Sequence, residues 1–302
     1  MQFLGKEIPS PLVLASGILG ISFASLHRVI REGAGMVTTK SLSLEPRTGH
    51  DSPILAEFEG GMVNSVGLTN PGIQEGLKEV VKYKDVCEAP IIVSVFGGSH
   101  QDFVELAGRV NDSPADFLEL NLSCPNVEDE FKRPFALDND KVAELTSAVK
   151  TVSRIPVLPK LSPNALDLAG TARIAEENGA DGLTLINTLG HGMVIDARAR
   201  RPVLRNNFGG ISGPCIKPLA LKLIYDVFQV VNIPIIGTGG VTTGIDAIEM
   251  LLAGASAVSL GTAVYYRGPE AFTHIRDEMQ AFMEYENIPS FESLIGSLEL
   301  NA

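Results

Sequence analysis

Short apolar runs alternate along the chain with stretches whose apolar positions recur at helical spacing. Leu12-Val13-Leu14-Ala15-Ser16-Gly17, Met36-Val37-Thr38-Thr39-Lys40-Ser41 and Pro90-Ile91-Ile92-Val93-Ser94-Val95-Phe96 read as buried strands. Leu118-Glu119-Leu120-Asn121-Leu122 alternates strictly, then breaks at Ser123-Cys124-Pro125-Asn126. Pro156 to Leu161, Gly182 to Asn187, Pro234 to Gly240 and Ala257 to Thr262 complete the set. A helical pattern follows each strand; the first runs through Leu26, Val29 and Ile30 to Gly33. Eight such units imply parallel pairing and are the number that closes a (β/α)8 barrel. An open doubly wound sheet is disfavoured, because no early glycine fingerprint is followed by a ribose-binding acid. The expectation is an α/β protein, a (β/α)8 TIM barrel in one domain over residues 1–302. The polar, turn-rich segment Leu42 to Gly61, with Met62 to Leu68 and Asn70-Pro71-Gly72 after it, reads as an insertion over the C-terminal mouth.

Active sites of such barrels lie at the C-terminal strand ends. Here those ends carry Ser16, Lys40, Asn121 with Cys124, Lys160, Asn187, Gly239 with Gly240, and Gly261 with Thr262. Taken alone, a cysteine is more often inert core and a lysine solvated; their convergence on one face favours chemistry. Carboxamides donate and accept in one plane, which suits a planar heterocycle, and an ionised thiol beside them takes a proton. The glycine turns after strands seven and eight stand where barrels of this kind bind phosphate through backbone amides. Gly209-Gly210 and Ser212-Gly213-Pro214, before a helix near Ile216, are candidates to complete that nest or an ordinary loop. A phosphate-anchored planar cofactor, a lysine facing its ring and an amide-lined pocket add up to flavin-type redox chemistry on a small heterocycle.

Composition narrows the classes. Hydrophobic residues make up 45% and charged residues 20%, with mean hydropathy +0.18, which supplies a large core without disorder. A net charge of −12 and a pI near 4.9 argue against nucleic acid as a partner. Cys87, Cys124 and Cys215 lie far apart, so neither a disulfide framework, a metal site nor a self-contained iron–sulfur site is expected. Their sparseness fits a cytoplasmic setting. The segment Met1 to Pro9 lacks a cationic region followed by an apolar one, and no long apolar run appears, so neither export nor membrane insertion is expected.

The motifs jointly resemble those of the dihydroorotate dehydrogenases, flavin enzymes of pyrimidine biosynthesis. The similarity runs almost end to end, through Ala15-Ser16-Gly17, Thr39-Lys40-Ser41, Asn64-Ser65-Val66-Gly67-Leu68, Asn121 to Asn126, Ile186-Asn187-Thr188, Gly209 to Pro218 and Ile236 to Gly240. The resemblance implies FMN in the mouth, contacted by Ala15, Ser16, Gly17, Lys40, Ser41, Asn121, Lys160 and Ile186, its phosphate on Gly213, Gly239, Gly240, Gly261 and Thr262. Dihydroorotate would be bound by Lys40, Asn64, Val66, Gly67, Leu68, Asn121, Asn126, Asn187 and Thr188. Cys124 would take the C5 proton as hydride leaves C6, and Lys160 would face the flavin.

A cysteine base is similar to the class 1 enzymes, and Gly209 to Pro218 looks more like the NAD-linked class 1B than the fumarate-using class 1A. That subgroup implies a homodimer or a heterotetramer with a separate FAD and iron–sulfur electron-transfer subunit. Two departures stand out: Val127 to Pro134 replaces a glycine-rich run, and Cys215 stands where the subgroup usually has alanine, with packing or a reactive thiol as its readings. His191, flanked by glycines near the mouth, is the weaker candidate base. The alternatives are a dihydropyrimidine dehydrogenase-like subunit acting on uracil or thymine, an RNA-acting dihydrouridine synthase, and a non-enzymatic flavin-binding subunit.

Overall fold

The computed structural model describes residues 1–122 and 134–301. Eight parallel strands form a closed barrel: β1 (Leu12–Leu14), β2 (Met36–Thr38), β3 (Ile91–Val95), β4 (Phe117–Asn121), β5 (Val157–Lys160), β6 (Leu183–Leu185), β7 (Ile235–Thr238) and β8 (Ala257–Leu260). They neighbour one another in chain order, and β8 closes on β1 through Val258 opposite Leu12. The outer ring comprises α1 (Phe23–Arg31), α2 (Ile73–Lys84), α3 (His100–Asn111), α4 (Asn139–Val152), α5 (Leu168–Glu177), α6 (Lys217–Phe228), α7 (Gly244–Leu252), α8 (Thr262–Arg267) and α9 (Ala271–Glu286). Side-chain caps fix several of the starts: Ser22 accepts from the Ser25 N–H at α1, and Thr243 with Asp246 forms a reciprocal capping box at α7.

Strand periodicity sorts each β-residue to the helix side or the interior. Leu118 and Leu120 of β4 join the large core shared with the helices. The opposite parity builds the inside of the barrel. Val13, Met36, Ile92, Phe117, Leu158, Ile236 and Ala257 pack as an apolar floor, closed below by Phe3 and Ile8 of the N-terminal segment. Two residues further along, the same faces carry Thr38, Ser94, Glu119, Lys160, Thr238 and Ser259, all buried. The interior therefore changes from hydrocarbon to polar within one layer, and the polar layer faces the C-terminal end. At the other end, Lys6 and Lys84 pair with Asp116 at 2.7 and 2.8 Å.

The strands are shorter than the sequence pattern implied, chiefly at their C-terminal ends. Gly239 and Gly240 illustrate the reason: their φ values of 131° and 79° cannot continue a ladder. A second correction concerns the insertion. Within Leu42 to Gly61, Leu55–Phe58 is a strand, and it joins Gly61–Asn64, Gly209–Ser212 and Leu189–Gly192 in an antiparallel sheet over the mouth. One face of this lid turns Leu55, Met62 and Asn64 toward the site. The other packs Ala56 and Val63 on Leu204. Gly209 and Gly210 are thus strand residues; a Cβ on Gly209 would stand 2.2 Å from the Asn64 carbonyl oxygen. Among the described residues, no helix is long and apolar enough to cross a membrane.

Candidate active site

A cavity of about 320 Å³ opens between the C-terminal strand ends and the lid, large enough to enclose most of a small organic ligand. Its lining brings together Ala15, Ser16 and Gly17 after β1, Lys40 and Ser41 after β2, Asn121 of β4, Lys160 of β5 and Ile186, Asn187 and Thr188 after β6. Gly213, Gly239, Gly240, Gly261 and Thr262 line it from the glycine turns, and Asn64, Val66, Gly67 and Leu68 from the lid side. Cys124 and Asn126 lie outside the described residues. Among the lining residues that sequence reasoning passed over are Ile18, Leu55, Met62, Thr238, Val241, Ser259 and Tyr265. The polar pair was recoverable from parity, since Thr238 and Ser259 each stand two residues beyond a floor residue; Leu55 and Met62 needed the lid's pairing.

Lys160 is 6% exposed, although it carries a positive head group. Its position opposite Asn121 in the β4–β5 ladder aims it into the barrel mouth, as strand parity requires. Lys40 is partly buried, and that burial lowers its pKa below the ordinary lysine value. His191 is exposed on the lid and does not line the cavity. Cys215 sits in the turn Pro214–Ile216 with its sulfur against Gly61 and 3.8 Å from the Ser212 carbonyl oxygen. Partial burial pushes its thiol pKa up, which favours the packing reading over a reactive thiolate.

The amides and hydroxyls of the site form one connected set. Asn187 Nδ2 donates to Asn121 Oδ1 at 3.3 Å, and Asn121 Nδ2 donates to Ser41 Oγ at 3.0 Å. Ser41 Oγ also lies 3.1 Å from Ser16 Oγ and 2.9 Å from Ser94 Oγ. Ser94 Oγ donates in turn to Glu119 Oε1 at 2.8 Å. Backbone support continues beyond the set, with Thr188 N donating to Asn187 Oδ1 at 2.8 Å.

The glycine turns supply an anion cradle. Among the described residues, no group accepts the N–H of Gly239, Gly240 or Gly261. A Cβ on Gly240 would lie 2.8 Å from Lys217 N and 2.9 Å from Gly213 O, so the backbone approaches as closely as glycine permits. The following turn is clamped by the protein itself. Asp246 accepts from Thr242 N and Thr243 N, both at 2.8 Å, and from Lys217 Nζ at 2.5 Å. Arg267 Nη1 donates to the Thr242 carbonyl at 2.8 Å and its Nη2 pairs with Glu278 at 2.6 Å. Free amides on a held turn, two cations and apolar walls fit a phosphorylated planar cofactor.

Comparison with known proteins decides the family. A family model described as dihydroorotate dehydrogenase matches residues 1–283. The chain belongs to the dihydroorotate dehydrogenase family. It is 45% identical over 290 residues to the protein named dihydroorotate dehydrogenase B (NAD(+)), catalytic subunit, of Methanothermobacter thermautotrophicus, covering 96% of this chain and 95% of that one. The proteins of the same name from Methanocaldococcus jannaschii and Pyrococcus abyssi are 41% and 43% identical, over 97% and 98% of this chain and 95% and 97% of theirs. These names agree with the class 1B resemblance. Among solved structures, a dihydroorotate dehydrogenase from Eimeria tenella in complex with ferulenol superposes with a TM-score of 0.84 at 23% identity, covering 98% of this chain and 87% of that one. That likeness establishes the dehydrogenase's barrel fold.

Proposed function

We propose that this chain is the catalytic subunit that oxidises (S)-dihydroorotate to orotate in pyrimidine biosynthesis, using FMN and passing electrons to NAD through a separate FAD and iron–sulfur subunit. The observation that carries the reading is the cavity itself: two lysines, three asparagines and an amide cradle converge there, in a chain over 40% identical to proteins named for this activity. Gly239, Gly240, Gly261, Thr262 and Gly213 hold the cofactor phosphate, and Lys160 faces the ring. Bound FMN supplies the hydride acceptor.

The residues of the chain do the rest. Lys40 offers its charge to the substrate carboxylate, an interaction strengthened by partial burial. Asn64, Asn121 and Asn187, with Asn126, fix the plane and register of the pyrimidine through paired donors and acceptors. Cys124 removes the C5 proton as a thiolate, the form whose fraction grows as pH rises. The lid residues Leu55 and Met62 keep water from the reacting face.

The test is an anaerobic titration of the FMN-loaded chain. Dihydroorotate is expected to bleach the flavin band and dihydrouracil to leave it intact, with NAD restoring colour once the partner subunit is added. Bleaching by dihydrouracil instead, or by neither, overturns the reading; fumarate restoring colour without a partner overturns the assignment of the acceptor.

A further inference from the structure

Beneath the site lies a carboxylate that the proposed reaction does not use. Glu119 is 2% exposed and stands in the polar interior layer, one inward position below Asn121. Its link to the cavity runs through side chains 25, 53 and 80 residues apart in sequence. A hydroxyl has one proton, so each donation along this path determines the next. As a carboxylate, Glu119 can only accept. Ser94 must then donate to Glu119, and its oxygen is left to accept from Ser41. With the Ser41 proton committed, Ser41 accepts from both Ser16 and the Asn121 amide nitrogen. Asn121 is thereby oriented with Nδ2 toward Ser41 and Oδ1 toward Asn187.

We infer that Glu119 is a positioning residue: its charge sets the proton order of the Ser94, Ser41, Ser16 and Asn121 chain and so decides which edge of Asn121 the bound ligand meets. This rests on the proposed substrate. In the order that Glu119 imposes, Asn121 keeps Nδ2 toward Ser41 and Oδ1 toward Asn187, and its second N–H stays available at the cavity. Asn121 therefore presents a donor, which suits a ligand edged with carbonyl and carboxylate oxygens. The reverse order would turn the Asn121 oxygen toward Ser41 and cost that complementarity.

Glu119→Gln keeps the shape but can donate as well as accept, so both orders become available. The expected result is orotate affinity, read from the flavin spectrum, weakened about threefold to tenfold, the range that one net hydrogen bond is worth. The phosphate cradle at Gly239, Gly240 and Gly261 lies outside the chain of hydrogen bonds, so FMN stays bound in the variant while its ring environment, which Ser16, Ser41 and Asn121 line, shifts in the spectrum. Ser94→Ala cuts the chain at a residue that lies outside the cavity lining. In that background Glu119→Gln has no further effect on orotate. Unchanged affinity in the single variant, or the same loss repeated in the Ser94→Ala background, overturns the inference. If the wild-type flavin fails to respond to dihydroorotate or orotate, the substrate reading falls instead. Should the variants not fold, neutron diffraction of the deuterated wild-type protein decides the matter. The deuteron between Ser41 and Ser94 belongs to Ser41 if the inference holds, and one on Ser94 directed at Ser41 overturns it.

Discussion

Replacing Asp246 with asparagine tests how the anion cradle is held. The side chain is 11% exposed and accepts from two backbone N–H groups, the Thr242 hydroxyl and Lys217. Asparagine keeps one oxygen for the turn but presents an NH2 where Lys217 needs an acceptor. Lys217 retains Glu249 at 2.7 Å, so the charge is not orphaned and the cost stays below that of breaking an isolated buried pair. Loss of one charge-assisted bond then sets the scale at about 2 kcal/mol. With roughly 2.1 cal/mol/K of unfolding entropy per residue over 302 residues, the melting temperature falls by about 3 °C.

The pH dependence gives a sharper signature. Burial alone would raise the Asp246 pKa, but the Lys217 ammonium and the Thr242 and Thr243 donors outweigh it and hold the carboxyl below its usual range. A depressed folded-state pKa contributes stability that is complete above the unfolded value of about 3.9 and is lost as pH falls through the lower folded value. Urea unfolding of the FMN-free wild type and variant should therefore show a full gap from about pH 5 to 7 that closes under acid, and FMN should bind the variant more weakly. A gap below about 0.5 kcal/mol at neutral pH, or one that stays constant down to about pH 3, refutes the reasoning.

Cys124→Ser should slow reduction of the flavin by dihydroorotate about 100-fold or more at neutral pH while FMN stays bound, as loss of a general base requires; an unchanged rate in stopped-flow measurements would remove Cys124 from the role. Burial lowers the Lys40 pKa, so its charge disappears as pH rises through a value below that of an exposed lysine. Orotate affinity should weaken across that alkaline range in the wild type and be weak at every pH in Lys40→Met; parallel pH profiles for the two proteins would show that the charge does not meet the ligand.

Much of this protein was legible without coordinates because strand and helix periodicities are local. Alternation in Leu118 to Leu122 placed Glu119 and Asn121 on one face before any partner was known, and glycine turns after strands seven and eight marked the cradle. Parity and chain order together specified the barrel and which strand ends carry polar groups. The strand Leu55–Phe58 was not legible, since its pairing with Gly61–Asn64 and the lid's two-sided packing override a polar local composition. Nor could the pattern reveal that Ser94 joins Ser41 to Glu119, or that Asp246 and Lys217 brace the turn beside Gly240. Sequence alone determined the barrel and its polar end, because these follow from spacing within single elements, while many of the cavity residues were named only through the family resemblance. Tertiary structure alone decided the lid and the two supporting networks, because a hydrogen bond forms only where distant strands bring donor and acceptor within about 3 Å.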